Sequence, residues 1–381
     1  MSVRKRTWTN AKGEQREAWI VDYRDRQGDR HIETFTRKKD ADAKHAEVDV
    51  SVRSGVHVAA GKSKTVAEAG EIWIDAAKLE GLERSTVEQY RGHLDKHIAP
   101  ALGAKKLSDL SRADVQDFSD NLRKDGMSPA MVKKVMASLG SLIAEAQDRD
   151  LVARNVVRAL ARTRKKRKGG RDKPKLKIGV DIPAPEEISV ILAQAKGRWR
   201  PLLLVAAFTG LRASELRGLR WADVDLKANK LHVIQRADKF HKIGSPKTEA
   251  GKRDVPFGPT VHNTLKEWKL ACPKSELDLV FPNTRGNIEG LPNILTRGFI
   301  PTVIAAGAVK ADGSAKYTGL HTLRHFYASW CIDRGLPPKV IQELLGHTSI
   351  TMTFDRYGHL FPKADDPEEI AAAELAVVRR A

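Results

Sequence analysis

Residues 319–359 contain histidine, arginine and tyrosine side chains whose types suit chemistry on a phosphate. His321 and Arg324 are three positions apart, so on a helix they share one face. Such an arginine can hold two phosphate oxygens while the imidazole donates a further hydrogen bond. His347 and Tyr357 follow along the chain, and the phenolic oxygen of Tyr357 is a candidate nucleophile toward that phosphate. The spacing therefore indicates nucleophilic attack on a phosphate.

This set of residues resembles the tyrosine recombinases, the family of phage integrases. The family pattern is an arginine, a lysine, an H-x-x-R motif, a second histidine and the tyrosine. Its first arginine lies in the string T-G-L-R-x-S-E-L, which residues 209–216 match, so the resemblance adds Arg212 to the set. Glu215 follows Arg212 by three positions and is expected to orient Arg212 or its neighbours.

The resemblance also implies a general acid. The leaving group is a DNA 5′-oxygen, which needs a proton, and the family supplies that proton from a lysine in the turn of a β-hairpin. Residues 245–256 match this context, and Lys247 is therefore the predicted acid. Lys252 is the nearby alternative, since both lysines could lie on the hairpin. The resemblance assigns His347 mainly to the phosphate.

A phosphodiester resists attack because its negative oxygens repel nucleophiles, so an enzyme must neutralise that charge as the phosphorus becomes five-coordinate. Arg212, Arg324 and His321 can supply positive charge, and no carboxylate cluster of the kind that holds catalytic metals stands beside Tyr357. The predicted site therefore uses no metal and no cofactor. Two arginines should lower the pKa of Tyr357 below its ordinary value of about 10, and His347 or His321 could accept its proton.

Attack by Tyr357 would leave a 3′-phosphotyrosyl bond and a free 5′-hydroxyl. The covalent bond retains the energy of the broken one, so another DNA end can displace the tyrosine without ATP. The resemblance therefore implies a site-specific DNA recombinase, an integrase, that exchanges strands through a Holliday junction. Such an enzyme integrates or excises a mobile element, as in viral genome integration.

The bulk composition agrees with a nucleic-acid partner. The 381 residues carry a net charge of +19, with a pI near 9.8, which favours binding to a polyanion. No apolar run approaches the roughly 20 residues of a membrane-spanning helix, and the start of the chain carries no secretory signal. Cys272 and Cys331 match neither a zinc site nor a disulfide scaffold. We expect a protein of the bacterial cytoplasm that is associated with the nucleoid.

The expected fold class is multidomain and mainly α, with small β-sheets. Residues 64–162 are helical in pattern, with Thr65, Ser85 and Ser111 as expected helix N-caps and Ser128 before a first-turn proline. The resemblance divides the chain into an arm-type DNA-binding domain of three strands and a helix at 1–60, a helical core-binding (SAM-like) domain at 64–162, a basic linker at 163–180, a mixed α+β catalytic domain at 181–365, and a C-terminal tail helix that docks in trans at 366–381.

The basic linker is the densest charge run of the sequence. Nine of the fourteen residues at 164–177 are Lys or Arg, and glycines and a proline interrupt any helix there. A run this dense between two DNA-binding domains is expected to follow phosphates. The predicted DNA contacts are Arg164, Lys165, Lys166, Arg167, Lys168, Arg171 and Lys173.

The resemblance also predicts the partners. Double-stranded DNA would be bound at core-type and arm-type attachment sites, by a protein that is monomeric in solution and a homotetramer on DNA. A DNA-bending host factor and an excisionase are further partners that the resemblance allows, and no membrane is expected.

Three other functions compete with this one. A type IB topoisomerase shares the tyrosine chemistry but relaxes a single duplex, and a DNA-binding regulator would cleave nothing. The third alternative treats four histidines as zinc ligands, although no metal-type acid or cysteine joins them: His321, His325, His347 and His359.

Overall fold

The computed structural model describes residues 2–10, 13–24, 30–53, 63–158, 175–362 and 375, without the side chains of residues 47 and 50–53. The chain forms two compact units, Met1–Asp172 and Lys173–Ala381. The predicted DNA contacts at 164–173 lie outside the described residues, and so does the predicted tail helix apart from residue 375. Within the described part of the chain, no helix has the length and apolar character that crossing a bilayer requires.

The first unit begins with three antiparallel strands in the order β1-β2-β3 and one helix. Their bounds are β1 Ser2–Thr9, β2 Gln15–Arg24, β3 Arg30–Phe35 and α1 Lys38–Arg53. Side chains alternate between the two faces of a strand, so Val21 and Tyr23 of β2 share one face, where they pack with Ala41 and Val48 of α1. The predicted sheet and helix are confirmed.

Helices follow in residues 63–158 of the first unit. Their bounds are α2 Val66–Leu79, α3 Arg84–His93, α4 Ala99–Leu102, α5 Arg112–Lys124 and α6 Pro129–Asp148. Two predicted caps are confirmed as capping boxes: the Thr65 hydroxyl accepts the Glu68 N–H, and the Ser111 hydroxyl accepts the Asp114 N–H. Because the caps satisfy otherwise unpaired backbone donors, they determine where α2 and α5 begin.

The cap predicted at Ser85 is wrong. Helix α3 begins at Arg84, after Glu83, and no side chain caps it. Ser85 therefore lies inside the first turn, with its hydroxyl 3.4 Å from the Glu83 carboxylate. The stretch after α3 also continues as helix through a π-helical turn at Leu94–Ile98 into α4, which ends at Leu102, just before Gly103.

The second unit combines helices with two small sheets. Its helices are α7 Pro185–Gln194, α8 Trp199–Thr209, α9 Ala213–Gly218, α10 Pro259–Ala271, α11 Leu291–Asn293, α12 Ile300–Ala305, α13 His321–Asp333, α14 Pro338–Leu345 and α15 Ile350–Tyr357, with a π-helical turn at Ile294–Phe299 between α11 and α12. Its strands are β4 Val224–Asp225, β5 Lys230–Val233, β6 Arg236–Ala237, β7 Ile243–Gly244 and β8 Arg253–Pro256.

The sheets hold the loop that carries the predicted lysine. Strands β4, β5 and β8 form one antiparallel sheet in that order, in which Leu231 pairs with Val255, and both residues are buried. Strands β6 and β7 form a separate hairpin within the excursion between β5 and β8. The predicted strands at 231–234 and 254–256 are thus confirmed within a residue or two. The fold class, multidomain and mainly α with small sheets, is confirmed as well.

Candidate active site

Arg212 lies at the turn between α8 and α9. Helix α8 ends at Thr209, the next residue, Gly210, has a left-handed φ of +61°, and Arg212 then takes the N-cap position of α9. Its side chain donates from Nη1 to Glu215 Oε1 at 2.7 Å and from Nη2 to the carbonyl of Gly346 at 2.9 Å. The Glu215 carboxylate also accepts the backbone N–H of Arg212 at 2.8 Å. One carboxylate therefore caps the helix and aligns the guanidinium.

Glu215 is buried between two arginines. It is 2% exposed, and Arg253 donates to both of its oxygens, at 3.2 and 2.9 Å. Burial opposes its negative charge, but the hydrogen bonds and the charge of Arg253 prevail, so the pKa of Glu215 lies below its ordinary value. Arg253 also donates to the Leu344 carbonyl at 2.7 Å. Glu215 thus joins the start of α9 to the start of β8 and contacts Arg212, the residue that it is predicted to orient.

Arg324 is buried on α13, with 2% of its surface exposed. Its Nη1 donates to the Gly210 carbonyl at 2.7 Å, and its Nη2 donates to the Leu345 carbonyl. Burial and the nearby charge of Arg212 lower the pKa of Arg324 to about 9, which still leaves it cationic at neutral pH. Arg212 and Arg324 therefore both bond to carbonyls at the C-terminal end of α14, where the helix dipole favours cations.

The glycine at the end of α14 allows this close approach. Gly346 has a φ of +61°, and a Cβ added there would lie 2.8 Å from the Ala250 carbonyl oxygen and 3.0 Å from Nη1 of Arg253. A larger residue would push apart the end of α14 and the stretch that leads into β8. The position after it, His347, is buried, and its Nδ1 lies 2.9 Å from the Thr353 hydroxyl.

The pKa values of the two predicted histidines both lie below the ordinary value of an imidazole. Burial, reinforced by Arg324 and Arg212, lowers the pKa of His347 to about 3. His321 is the first residue of α13, at the exposed edge of the site, and desolvation together with Arg324 lowers its pKa to about 4. A neutral ring carries one N–H, so each can still donate one hydrogen bond to a phosphate.

Tyr357 is the last residue of α15 and is 1% exposed. Burial raises its pKa to about 12, against the opposing influence of Arg324 and Arg356. The expectation that arginines would bring the pKa of Tyr357 below its ordinary value is therefore wrong, because loss of hydration outweighs the effect of the cations. Its hydroxyl oxygen lies 2.7 Å from Nδ1 of His325, whereas His347 and His321 were the predicted proton acceptors.

Lys247 lies on an exposed stretch between β7 and β8. The alternative acid, Lys252, is bound by Glu249, with Nζ at 3.0 and 3.1 Å from the two carboxylate oxygens. The end of this stretch is fixed at the site, because Arg253 pairs with Glu215. Lys247 thus lies on a loop whose C-terminal end is fixed by the ion pair between Arg253 and Glu215. Lys252, in the same loop, forms an ion pair with Glu249.

Two residues of the site were not predicted in these roles. Nothing in the spacing indicated that Arg253 would meet Glu215, because the two are joined only by the tertiary fold. His325 did carry a signal, since it lies four positions after His321 on α13, and the two rings meet edge to face at 4.6 Å. Among the residues that the structure describes, no group of three or more His, Cys, Asp or Glu side chains could hold a metal ion.

Comparison with known proteins identifies related chains. A family model described as "Phage integrase family" matches residues 184–364, and one described as "Phage integrase, N-terminal SAM-like domain" matches residues 65–123. A "Tyrosine recombinase XerC-like" protein of Caldanaerobacter subterraneus is 27% identical, over 86% of this chain and 87% of that protein.

Solved structures share the fold at lower identity. The Tn1549 transposon integrase, in complex with transposon right end DNA, aligns with a TM-score of 0.66 at 19% identity, over 82% of this chain and 99% of that one. A lambda integrase tetramer bound to a Holliday junction aligns with a TM-score of 0.58 at 18% identity, over 91% and 96% of the two chains. The two family models match the first part of the helical segment and the segment that holds the candidate site, and the chain belongs to the phage integrase family of site-specific tyrosine recombinases.

Proposed function

We propose that this protein cuts and rejoins DNA at specific sites through Tyr357, with a 3′-phosphotyrosyl intermediate and a Holliday junction, and that it thereby integrates or excises a mobile element. One observation carries the proposal. Two guanidinium groups, of Arg212 and Arg324, are fixed on carbonyls at the end of α14, and Arg324 is close enough to the buried Tyr357 for its charge to act on the phenol. Such an arrangement suits the stabilisation of charge on a phosphate.

The arginines would bind the non-bridging oxygens of the scissile phosphate. Their described hydrogen bonds to the protein use two of the five N–H donors on each guanidinium, which leaves donors to be directed at a ligand. Because the protein groups hold each fork in place before DNA arrives, little reorganisation is needed when charge develops in the transition state. We assign His321 and His347 to further hydrogen bonds with the same phosphate.

Proton transfer accompanies both halves of the reaction. The Tyr357 oxygen forms a bond to phosphorus as it loses its proton, and the bond from phosphorus to the 5′-oxygen breaks as that oxygen gains one. We assign the second proton to Lys247 as general acid. The phosphotyrosyl bond keeps the energy of the broken phosphodiester, so a 5′-hydroxyl of another strand can reverse the attack without ATP.

The assembly on DNA is also a proposal. The Tn1549 integrase bound to transposon DNA and the lambda integrase tetramer on a Holliday junction support DNA as the substrate and a tetramer as the active form. We propose that residues 1–60 bind arm-type sites, residues 64–162 bind core sites, and the tail 366–381 docks on a neighbouring subunit of a protein that is monomeric in solution. Sedimentation with and without paired DNA sites would test the tetramer.

The roles proposed for the linker, the cellular location and the accessory factors are those that the resemblance to the family implies. The linker residues Arg164 to Lys173 would follow DNA phosphates, and the protein would act on the bacterial nucleoid in the cytoplasm. A DNA-bending host factor and an excisionase would adjust the direction of the reaction. Footprinting of the protein on its attachment sites, with and without such factors, would test these assignments.

The nucleophile can be tested directly by replacing Tyr357 with phenylalanine. We expect Tyr357→Phe to bind DNA like the parent protein and to form no covalent adduct, because only the phenolic oxygen is lost. The measurement is a denaturing gel of protein incubated with a nicked suicide substrate, which traps the cleaved strand. A covalent complex with the variant would move the nucleophile elsewhere, with Tyr327 as the next candidate.

The products separate the competing functions. Adducts followed by strand joining between two duplexes identify a recombinase. Relaxation of a supercoiled circle without strand exchange would instead identify a topoisomerase. A protein that binds DNA and forms no adduct would be a regulator.

A further inference from the structure

His325 is in hydrogen-bond contact with Tyr357, the candidate nucleophile. It is buried on α13, with 7% of its surface exposed, and its Nδ1 lies 2.7 Å from the hydroxyl oxygen of Tyr357. The two rings meet at an interplanar angle of 64°, with 5.8 Å between their centroids. A side chain in this position touches the atom that would form the bond to phosphorus.

The direction of this hydrogen bond follows from the protonation states. Burial raises the pKa of Tyr357 to about 12, so its hydroxyl keeps its proton. Burial, together with His321 and Arg356, lowers the pKa of His325 to about 3, so its ring is neutral. If Nδ1 carried the ring proton, the buried phenolic proton would compete for the same contact and need another acceptor, which costs free energy. The favoured arrangement has the Tyr357 hydroxyl donating to Nδ1, with the ring proton on Nε2.

We propose that His325 is a further catalytic residue, the general base that accepts the proton of Tyr357 as the phenolic oxygen attacks the phosphate. This inference rests on the proposed function of Tyr357 as nucleophile. The bond from the phenolic oxygen to phosphorus forms, the bond from phosphorus to the 5′-oxygen breaks, and the phenolic proton moves to Nδ1 to give an imidazolium. In the rejoining step the imidazolium returns that proton to the departing phenolic oxygen.

A weakly basic imidazole can fill this role because the acidity of the phenol changes along the reaction. As the oxygen–phosphorus bond forms, the phenolic oxygen becomes the bridging oxygen of an ester and loses almost all of its basicity. The proton therefore becomes easier to remove as the transition state is approached, when Nδ1 is the stronger base of the two atoms. The positive charge gained by the ring also lies next to the anionic phosphate, which favours it.

Two substitutions distinguish a role of His325 as general base from a role as hydrogen-bond acceptor alone. In His325→Asn, the side-chain oxygen can occupy the place of Nδ1 and accept the hydroxyl hydrogen bond, but an amide does not take up the proton. In His325→Ala both capacities are lost and a small cavity remains, into which added imidazole can diffuse. The control is His93→Ala, since His93 is also buried, at 6% exposure, and its Nδ1 lies 2.8 Å from the Ser138 hydroxyl, in the other unit of the chain.

The full-length proteins would be compared by single-turnover formation of the covalent adduct on a suicide substrate, by binding to the same DNA, and by thermal unfolding. Losing a general base typically slows a reaction by about 100-fold or more, and we expect both His325 variants to show that loss with binding within about two-fold of the parent. Imidazole should restore cleavage by His325→Ala by on the order of ten-fold. It should not restore cleavage by Tyr357→Phe, and it should not change cleavage by His93→Ala.

The outcomes that overturn the inference are distinct from those that overturn the function. Near-parental cleavage by His325→Asn would show that hydrogen bonding alone suffices and that His325 is not the base. Loss of cleavage in His325→Ala that imidazole does not restore, with a melting temperature lowered as far as in His93→Ala, would assign it a structural role. If the unaltered protein forms no adduct, the proposed function fails, and the inference fails with it.

Discussion

Charged side chains are arranged differently in residues 63–158 and in residues 175–362. In the helical segment the ion pairs lie at the surface, as between Arg91 and Glu71, whose side chains are 35% and 57% exposed. In the second segment Glu215 and Arg253 form a pair with 2% and 5% of their side chains exposed, beside the buried Arg324. Burying ions costs free energy that packing and hydrogen bonds must offset, and three of the buried ions of this segment, Glu215, Arg253 and Arg324, hold the candidate site.

Removing the charge of Glu215 is expected to have the largest effect on stability. Glu215→Gln keeps the shape of the side chain but leaves Arg253 buried without its anionic partner, and breaking a buried pair in this way costs about 3–5 kcal/mol. Glu71→Gln is the matched control in the helical segment, where loss of an exposed pair costs about 0–1 kcal/mol. Urea unfolding of the two variants measures both values, and equal losses would remove the contrast between the segments.

The same pair predicts a dependence of stability on pH. The pKa of Glu215 in the folded protein lies below its ordinary value of 4.5, so folding favours the ionised form. Its contribution to the free energy of unfolding is therefore complete above about pH 4.5 and is lost as the pH falls through the lowered pKa. Because Gln does not titrate, the stability of Glu215→Gln should fall less steeply than that of the parent below pH 4.5, as measured by urea unfolding at a series of pH values.

Lys247 lies outside the buried cluster, so its replacement should affect catalysis without this loss of stability. Lys247→Ala should slow cleavage by about 100-fold, the usual scale for a general acid, which corresponds to about 2.7 kcal/mol in the barrier. A substrate with sulfur in place of the bridging 5′-oxygen leaves without a proton, and it should largely restore the rate. The measurement is the single-turnover cleavage rate on the two substrates.

Lys252→Ala is the control for this prediction, because Lys252 lies in the same loop and is bound by Glu249. We expect it to cleave the normal substrate near the parental rate. A variant of Lys247 that is equally slow on both substrates would indicate phosphate binding. Loss of activity in Lys252→Ala that sulfur restores would make Lys252 the acid.

The two segments also differ in how far the sequence predicted them. Caps at Thr65 and Ser111 are local interactions between residues three positions apart, so a pattern can reveal them. The pairing of Arg253 with Glu215 joins residues far apart in sequence, and no pattern within the chain indicates it. The motifs supplied the residue types of the site, but the raised pKa of Tyr357 depends on burial, which follows from the tertiary fold.

The site histidines show the same limit. The sequence offered His347 or His321 as the acceptor for the proton of Tyr357. In the structure the Tyr357 hydroxyl is instead hydrogen-bonded to His325, which follows Arg324 in the sequence and is not required by the motif. Helical spacing placed His325 on the face of His321, but the position of α15 against α13, which brings the tyrosine to that face, could not be predicted from local sequence.

The smallest predicted effect is on stability, and it compares two serines predicted as helix caps. The structure confirms the cap at Ser111 and shows none at Ser85. In Ser111→Ala the N–H of Asp114 loses its side-chain acceptor at 3.2 Å, which should lower the free energy of unfolding by about 1 kcal/mol. Ser85→Ala is the matched control, because Ser85 lies inside the first turn of α3, where alanine has the higher helix propensity and the change should stay within about 0.5 kcal/mol. Urea unfolding measures both, and neither variant should alter the cleavage rate at saturating protein, because both positions lie in the unit that does not contain Tyr357. A loss of about 1 kcal/mol at Ser85 would mean that this serine caps α3 as its sequence predicts, and that α3 begins at Thr86, two residues after Arg84.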